Sequence, residues 1–283
     1  MYYLLYGFFY LISLLPFPIL YLLSDGIYFF VYRWVGYRRE IVMNNLKIAF
    51  PEKTTAEHKA IAKKFYHNFC DTFLEAAKLL TISKKQLNKR FIGDYSLLNQ
   101  LYSEGKSCQI HLGHNFNWEW GNAHISLHTK FNFLGVYMPI DNKAVNKFFI
   151  NLRSKFGTIL LPADNMQKAM LPYQKQQYIL ALVADQNPGN VNKACWIDFF
   201  GKSIPFVMGP EKAARANNMP VVFANIEKQK RGHYKCTIEM LAENAAATTD
   251  MEITTAFVKK LEHNIRQQPE NWLWSHRRWK WIQ

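Results

Sequence analysis

The residues best suited to chemistry lie in one block, His111-Leu-Gly-His114-Asn-Phe-Asn-Trp-Glu119. In an ideal helix, residues five apart lie about 140° apart around the axis, so His114 and Glu119 would not face each other. They meet if His114 lies in a turn and Glu119 lies in the first turns of the following helix. A carboxylate bonded to one imidazole nitrogen then supports proton uptake at the other. The block therefore predicts a general base, His114, with Glu119 as its partner. The free amides at the helix N-terminus suit a developing oxyanion.

Short apolar runs alternate with segments of helical periodicity around this block. The predicted strands are Ser107–Leu112, Phe131–Tyr137, Thr158–Leu161, Tyr178–Ala184 and Val221–Ile226. The helices between them are Phe116–Leu127, Asn142–Phe156, Asn165–Gln174 and Pro210–Asn217. Further predicted elements are a helix over Thr55–Leu80, a strand over Tyr234–Leu241 and a closing helix over Asp250–Gln267. This alternation predicts an α/β fold with a mainly parallel central sheet flanked by helices, whose functional residues gather at the carboxyl ends of strands.

The N-terminal segment is apolar and uncharged over residues 1–24. That length could cross a bilayer at about 1.5 Å per residue, although Pro16 and Pro18 interrupt it. A basic group follows, formed by Arg33, Arg38 and Arg39, and the positive-inside rule places that group on the cytoplasmic side. We predict a membrane-anchoring helix within residues 1–35 and a catalytic domain over 36–283. A buried core helix is the alternative, and the lack of a basic n-region argues against a cleaved signal peptide.

The composition narrows the class of protein and of partner. The 283 residues carry 35 Lys and Arg against 21 Asp and Glu, a net charge of +14, and 49% of them are hydrophobic. This apolar content excludes a disordered chain, and the charge predicts an anionic partner: nucleic acid, an anionic membrane or an acidic protein. The cysteines are widely spaced without a CxxC pair, which favours free thiols: Cys70, Cys108, Cys195 and Cys236.

The block Gly113-His-Asn-Phe-Asn-Trp-Glu119 resembles the catalytic block of the late acyltransferases of lipid A biosynthesis, in the lysophospholipid acyltransferase superfamily. Further segments match the family in order: Gly135-Val-Tyr-Met-Pro-Ile-Asp-Asn142, Arg153-Ser-Lys-Phe-Gly157, Ala184-Asp-Gln-Asn-Pro-Gly189, Phe199-Phe-Gly201, Gly209-Pro210 and Pro269-Glu-Asn-Trp-Leu-Trp-Ser-His-Arg-Arg-Trp-Lys280. Met138 departs from the pattern, because the family more usually has a basic residue there. The ordered set is specific, although each block alone is weak.

The resemblance implies a glycerolipid acyltransferase-like fold and transfer of a fatty acyl chain to a hydroxyl of a lipid A precursor. The donor would be acyl carrier protein, or acyl-CoA, with no metal or other cofactor. The resemblance also implies the bacterial inner membrane as location, with the catalytic domain facing the cytoplasm. An acidic carrier protein suits the positive charge of the chain.

The resemblance assigns roles to individual residues. His114 would be the general base, and Glu119 would orient it and stabilise its charge. Arg153 would pair with a phosphate of the acceptor or of the carrier's phosphopantetheine arm. The resemblance places Asp185 at a strand end beside the cleft, and we expect it to position His114, Arg153 or the acceptor. Gln186 and Asn117 complete the expected substrate-binding residues.

Other functions stay open at this stage. A lysophospholipid or an amino-acid lipid could be the acceptor. A basic, membrane-anchored binder of anionic lipid or nucleic acid would explain the charge and the anchor, although no nucleic-acid fold signature accompanies them. A metal hydrolase would need His111 beside His114, whereas His111 is expected to pack into the sheet. Asp185 could be only part of a turn, and the C-terminal tryptophans are expected to pack over the sheet.

Overall fold

The computed structural model describes residues 1–282, which contain one seven-stranded sheet and a separate β-hairpin. The strands are β1 (Phe91–Gly93), β2 (Cys108–Leu112), β3 (Asn132–Tyr137), β4 (Ile159–Pro162), β5 (Tyr178–Val183), β6 (Ala194–Phe199), β7 (Lys202–Val207), β8 (Val221–Lys230) and β9 (His233–Ala242). The order in the large sheet is β1-β9-β8-β2-β5-β3-β4, and only the β8–β9 pair is antiparallel. The predicted α/β class with a mainly parallel sheet is confirmed.

Strand β2 lies near the middle of the sheet, between β5 and β8, and every one of its residues is buried. Its side chains alternate between the two faces, as in any strand. Ile110 packs into one core cluster, around Trp120, whereas the ring of His111 contacts Phe257 on the opposite face. Burial on both faces explains why β2 reads as a continuous apolar run.

Helices cover both faces of the sheet. They are α1 (Tyr2–Leu14), α2 (Phe17–Phe29), α3 (Arg39–Ala49), α4 (Thr55–Lys78), α5 (Lys84–Arg90), α6 (Ser96–Ser103), α7 (Trp118–His128), α8 (Lys143–Ser154), α9 (Met166–Met170), α10 (Gly209–Ala216) and α11 (Glu252–Gln267). The longest, α4, starts at a capping box in which Thr54 and Glu57 satisfy each other's backbone amides.

Two elements differ from the prediction. The helix expected over Asn165–Gln174 is only the short α9 with a 3₁₀ turn on each side, because Pro172 has no amide hydrogen to continue it. The β6–β7 hairpin was not predicted. Its turn holds both Phe200 and Gly201 at positive φ, a conformation that a phenylalanine adopts rarely.

The N-terminal helices form a bent pair. Helix α1 ends at Leu14, and α2 starts after Pro16 and continues as a π-helical turn over Phe30–Val35. No helix within residues 1–282 is by itself long and apolar enough to cross a membrane. Tyr2–Leu14 and Phe17–Val35 together have the required length and composition, but the chain bends by 119° between them. One side of this pair packs on α4, and the other exposes apolar side chains such as Leu4 and Leu22.

Candidate active site

The site is centred on the neighbouring ends of β2 and β5. These strands are parallel, with Leu112 opposite Val183, so their carboxyl ends lie side by side. His114 and Asp185 are each the second residue after their strand. The register of the sheet therefore brings together two side chains that are 71 residues apart in the chain.

Asp185 holds His114 at two points. Its Oδ1 lies 2.5 Å from Nδ1 of the ring, and its Oδ2 accepts the backbone amide of His114 at 2.7 Å. The indole N–H of Trp272 donates to the same Oδ2, also at 2.7 Å. Burial raises the pKa of Asp185, but attraction to His114 and these hydrogen bonds outweigh that effect and lower the pKa to about 2. Asp185 is therefore a carboxylate at neutral pH and accepts the Nδ1 proton.

The second ring nitrogen of His114 faces the cavity. With the proton on Nδ1, the lone pair of the neutral ring is on Nε2. The side-chain amide of Gln186 lies 3.2 Å from this nitrogen. The indole of Trp118 packs edge-on against the ring, 5.3 Å between centroids, and limits its rotation. A hydroxyl that displaced Gln186 would meet the lone pair of Nε2.

Glu119 does not take the place expected for it beside His114, because the nitrogens of that ring are engaged by Asp185 and Gln186. Glu119 pairs instead with Arg153 of α8. The guanidinium donates from Nη2 at 2.6 Å and from Nε at 3.0 and 3.1 Å. Both residues line the same cavity as His114, so the carboxylate fixes the guanidinium there and raises its pKa despite burial. Such bidentate pairs are among the strongest in proteins.

Asn117 also differs from the expectation of a substrate contact. It is fully buried; its side-chain oxygen accepts the backbone amide of Trp120 at the start of α7, and its side-chain amide donates to Glu75. Asn117 therefore caps the helix. The amide of Trp120 that it binds is one of the N-terminal amides that had been expected to be free for an oxyanion.

The other histidine of the block, His111, lies away from the cavity. Its Nε2 is 2.9 Å from the side-chain oxygen of Gln109, and burial lowers its pKa to about 4. The two histidines therefore do not form the pair that a metal hydrolase would need, and residues 1–282 contain no cluster of metal-binding side chains. The four cysteines are unpaired and buried.

A cavity of about 540 Å³ opens at His114 and Arg153 and continues between the sheet and α7. Its inner wall is apolar and consists of Ile110, Ile125, Phe133, Ala181 and Val183. Gln186 and Asn187 form the polar side of its mouth, where Met138 is also exposed. A cavity of this size and polarity suits a long apolar chain with one reactive polar end.

A histidine held by a carboxylate at the mouth of an apolar cavity is the arrangement of an enzyme that acts on a lipid-like substrate. The sequence comparison gives the family. The sequence model of the family "Bacterial lipid A biosynthesis acyltransferase" matches residues 1–281, and the chain belongs to this family. It is 22% identical over 277 residues to the lipid A biosynthesis lauroyltransferase of Escherichia coli (strain K12), covering 97% of this chain and 89% of that protein.

The chain is thus an acyltransferase of lipid A biosynthesis, as the resemblance of its motifs implied. Sequence reasoning missed the contribution of Trp272, which had been expected only to pack. Spacing carries no signal for this contact, since the indole lies 87 positions from Asp185.

We expect Arg153→Lys to lower kcat by roughly 10- to 100-fold, because lysine keeps the charge but loses the fork that Glu119 fixes. The measurement is the steady-state rate of acyl transfer. The matched control is Arg266→Lys, which removes the same type of fork, here bound to Glu262 on the surface of α11. Equal rates for Arg153→Lys and wild type would show that the Glu119–Arg153 pair has no part in catalysis.

Proposed function

We propose that the protein transfers a fatty acyl chain from acyl carrier protein to a hydroxyl of a lipid A precursor, with His114 as general base. The observation that carries this proposal is the hydrogen bond from Nδ1 of His114 to Asp185 at the mouth of the apolar cavity. It leaves Nε2 as the acceptor of a proton from an incoming hydroxyl. An alcohol is a poor nucleophile at neutral pH, and a positioned base contributes typically about 10²–10⁴-fold.

The reaction needs one proton transfer in each direction. The acceptor hydroxyl gives its proton to Nε2 of His114 as its oxygen bonds to the thioester carbonyl carbon. The tetrahedral intermediate then breaks its carbon–sulfur bond, and the departing thiolate takes the proton back from Nε2. Asp185 stabilises the imidazolium between these steps, as the aspartate of a hydrolase triad does.

Arg153 is the group best placed to stabilise negative charge in the cavity. Its Nε and Nη2 bond to Glu119, which leaves Nη1 for the thioester carbonyl oxygen. A fixed guanidinium adds no reorganisation cost when the oxyanion forms. Glu119 in this proposal is a positioning residue for Arg153, and Asp185 takes the role beside His114 that the sequence had indicated for Glu119.

The acyl chain of the donor lies along the apolar inner wall of the cavity, with its thioester between His114 and Arg153. Burial of each methylene group contributes about 0.8 kcal/mol, so an apolar wall binds and orients a long chain without polar contacts. The acidic carrier protein would be attracted by the net charge of +14, most strongly at low salt. The reaction itself requires no metal or other cofactor.

The reaction is tested by transfer of a labelled acyl chain from acyl carrier protein to a tetra-acylated lipid A precursor in detergent. We expect His114→Ala to lower the rate by about 10²–10⁴-fold through loss of the base. His263→Ala, on the exposed side of α11, is the matched control and should retain the wild-type rate. Acyl transfer that persists in His114→Ala would show that His114 is not the base. If the wild-type protein transfers no acyl chain, this donor and acceptor are excluded.

The N-terminal helix pair is proposed to hold the enzyme at the cytoplasmic face of the inner membrane. Its outer side exposes the apolar side chains of Leu4, Phe8, Leu11, Leu22 and Phe30. Soluble monomers rarely expose an apolar patch of this extent. The bend of 119° suits helices that insert side by side into one leaflet. The basic group at Arg33, Arg38 and Arg39 follows this surface and would meet anionic headgroups.

We expect Leu4→Glu with Leu22→Glu to abolish flotation of the protein with vesicles of phosphatidylethanolamine and phosphatidylglycerol, because two charges would enter the hydrocarbon region. The matched control is Leu171→Glu, since Leu171 is exposed to a similar extent outside the helix pair. Unchanged flotation of the double variant would place membrane contact elsewhere on the molecule.

A further inference from the structure

A second cavity adjoins the active site on the side away from the apolar wall. Its volume is about 830 Å³, and Asn187 and Gly189 line both cavities. We call it the basic groove; its polar and aromatic walls are formed by Arg38, Asn187, His276, Arg277, Lys280 and Trp281. A ligand in the basic groove would therefore lie next to a molecule reacting at His114.

The walls of the basic groove are tied to the loop that carries Asp185. The amide of Asn187 donates to the backbone carbonyl of Arg277 at 2.8 Å, and the buried Arg278 donates to the side-chain oxygen of Asn187 at 2.7 Å. On the other wall, Arg38 donates to the carbonyl of Ser275 at 3.0 Å. The position of the groove relative to His114 is thus fixed by hydrogen bonds.

The charge of the basic groove is uncompensated among residues 1–282. Arg38, Arg277 and Lys280 are exposed, and no aspartate or glutamate lines the groove. A third cavity shows the contrast: there Lys228 and Arg231 form salt bridges with Asp71. The groove therefore retains its attraction for an anion.

The mouth of the catalytic cavity offers no comparable group. Met138 is exposed there, and the charge of Arg153 is compensated by its ion pair with Glu119. A substrate bound at His114 can therefore place an anionic group across Asn187, on the uncompensated cations of the basic groove. A guanidinium fork and an ammonium group are the pair of side chains best suited to a phosphate ester.

We propose that the basic groove binds a phosphate ester on the headgroup of the acceptor lipid, with Arg277 and Lys280 as its main contacts. This inference rests on the proposed function, because it assigns the groove to the acceptor of that reaction. The acceptor is favoured over the donor because Arg38 follows the exposed apolar helix pair by a few residues, which places this wall at the height of lipid headgroups. The exposed Trp281 suits the same zone.

The test compares the KM for a bis-phosphorylated, tetra-acylated lipid A precursor with the KM for the same lipid after removal of its phosphates. In Arg277→Glu with Lys280→Glu, we expect the KM for the phosphorylated lipid to rise about 10- to 100-fold, as for the loss of one or two charge-assisted hydrogen bonds. The KM for the dephosphorylated lipid and for the carrier protein should not change. The matched control is Lys212→Glu with Lys259→Glu, which alters the net charge equally at exposed positions of α10 and α11.

Two outcomes overturn the proposal: an unchanged KM for the phosphorylated lipid, or a rise confined to the KM for the carrier protein, which would assign the groove to the donor.

A vesicle-binding experiment tests the groove independently of turnover. Phosphatidylcholine vesicles that carry the phosphorylated precursor should bind the wild type more tightly than plain phosphatidylcholine vesicles, and the double variant should lose this gain. The gain that phosphatidylglycerol gives should persist in the double variant. Equal loss of both gains would mean general attraction to anionic membranes and would contradict a site for the acceptor. If wild type transfers no acyl chain, the proposed reaction fails while this binding comparison still judges the groove.

Discussion

The hydrogen bond between His114 and Asp185 is the constraint on which the rest of the site depends. It requires two parallel strands in register, since each residue follows its strand by the same number of positions. It also requires that Asp185 stay ionised although it is buried, and Trp272 and the backbone of His114 supply the donors that achieve this. The C-terminal segment is therefore part of the site: Trp272 bonds to Asp185, and Arg278 bonds to the loop that follows it.

The two carboxylates of the site have separate tasks, because each is committed to a different cation. Asp185 faces His114, and Glu119 faces Arg153. In the proposed mechanism, the first pair handles the proton that moves during the reaction, and the second holds a permanent positive charge where the oxyanion would form. Below them, α7 is anchored through Asn117 to Glu75, which also accepts the hydroxyls of Tyr21 and Tyr234. The helix that shapes the cavity is thus connected to α2, and through it to the proposed membrane surface.

The sequence predicted the sheet well, because buried parallel strands read as apolar runs separated by helical periodicity. It did not predict the β6–β7 hairpin, whose turn depends on an uncommon conformation of Phe200. At the site, the sequence singled out His114, Glu119, Arg153 and Asp185, but it paired His114 with Glu119 because the two are close along the chain. The pairing is set instead by strand register and by α8, which carries Arg153 to Glu119, and neither can be inferred from spacing. The role of Asn117 cannot be inferred from the sequence either, because an asparagine side chain is equally suited to capping a helix and to binding a substrate.

The most direct test of this account is the protonation state of the His114 ring, observed by ¹⁵N NMR of histidine-labelled protein in detergent while the ring is neutral. The account predicts a proton on Nδ1 and a bare Nε2, a distribution that Asp185→Asn disturbs and Glu119→Gln leaves unchanged. A proton on Nε2 in wild type, or a tautomer that responds to Glu119→Gln and not to Asp185→Asn, would contradict it.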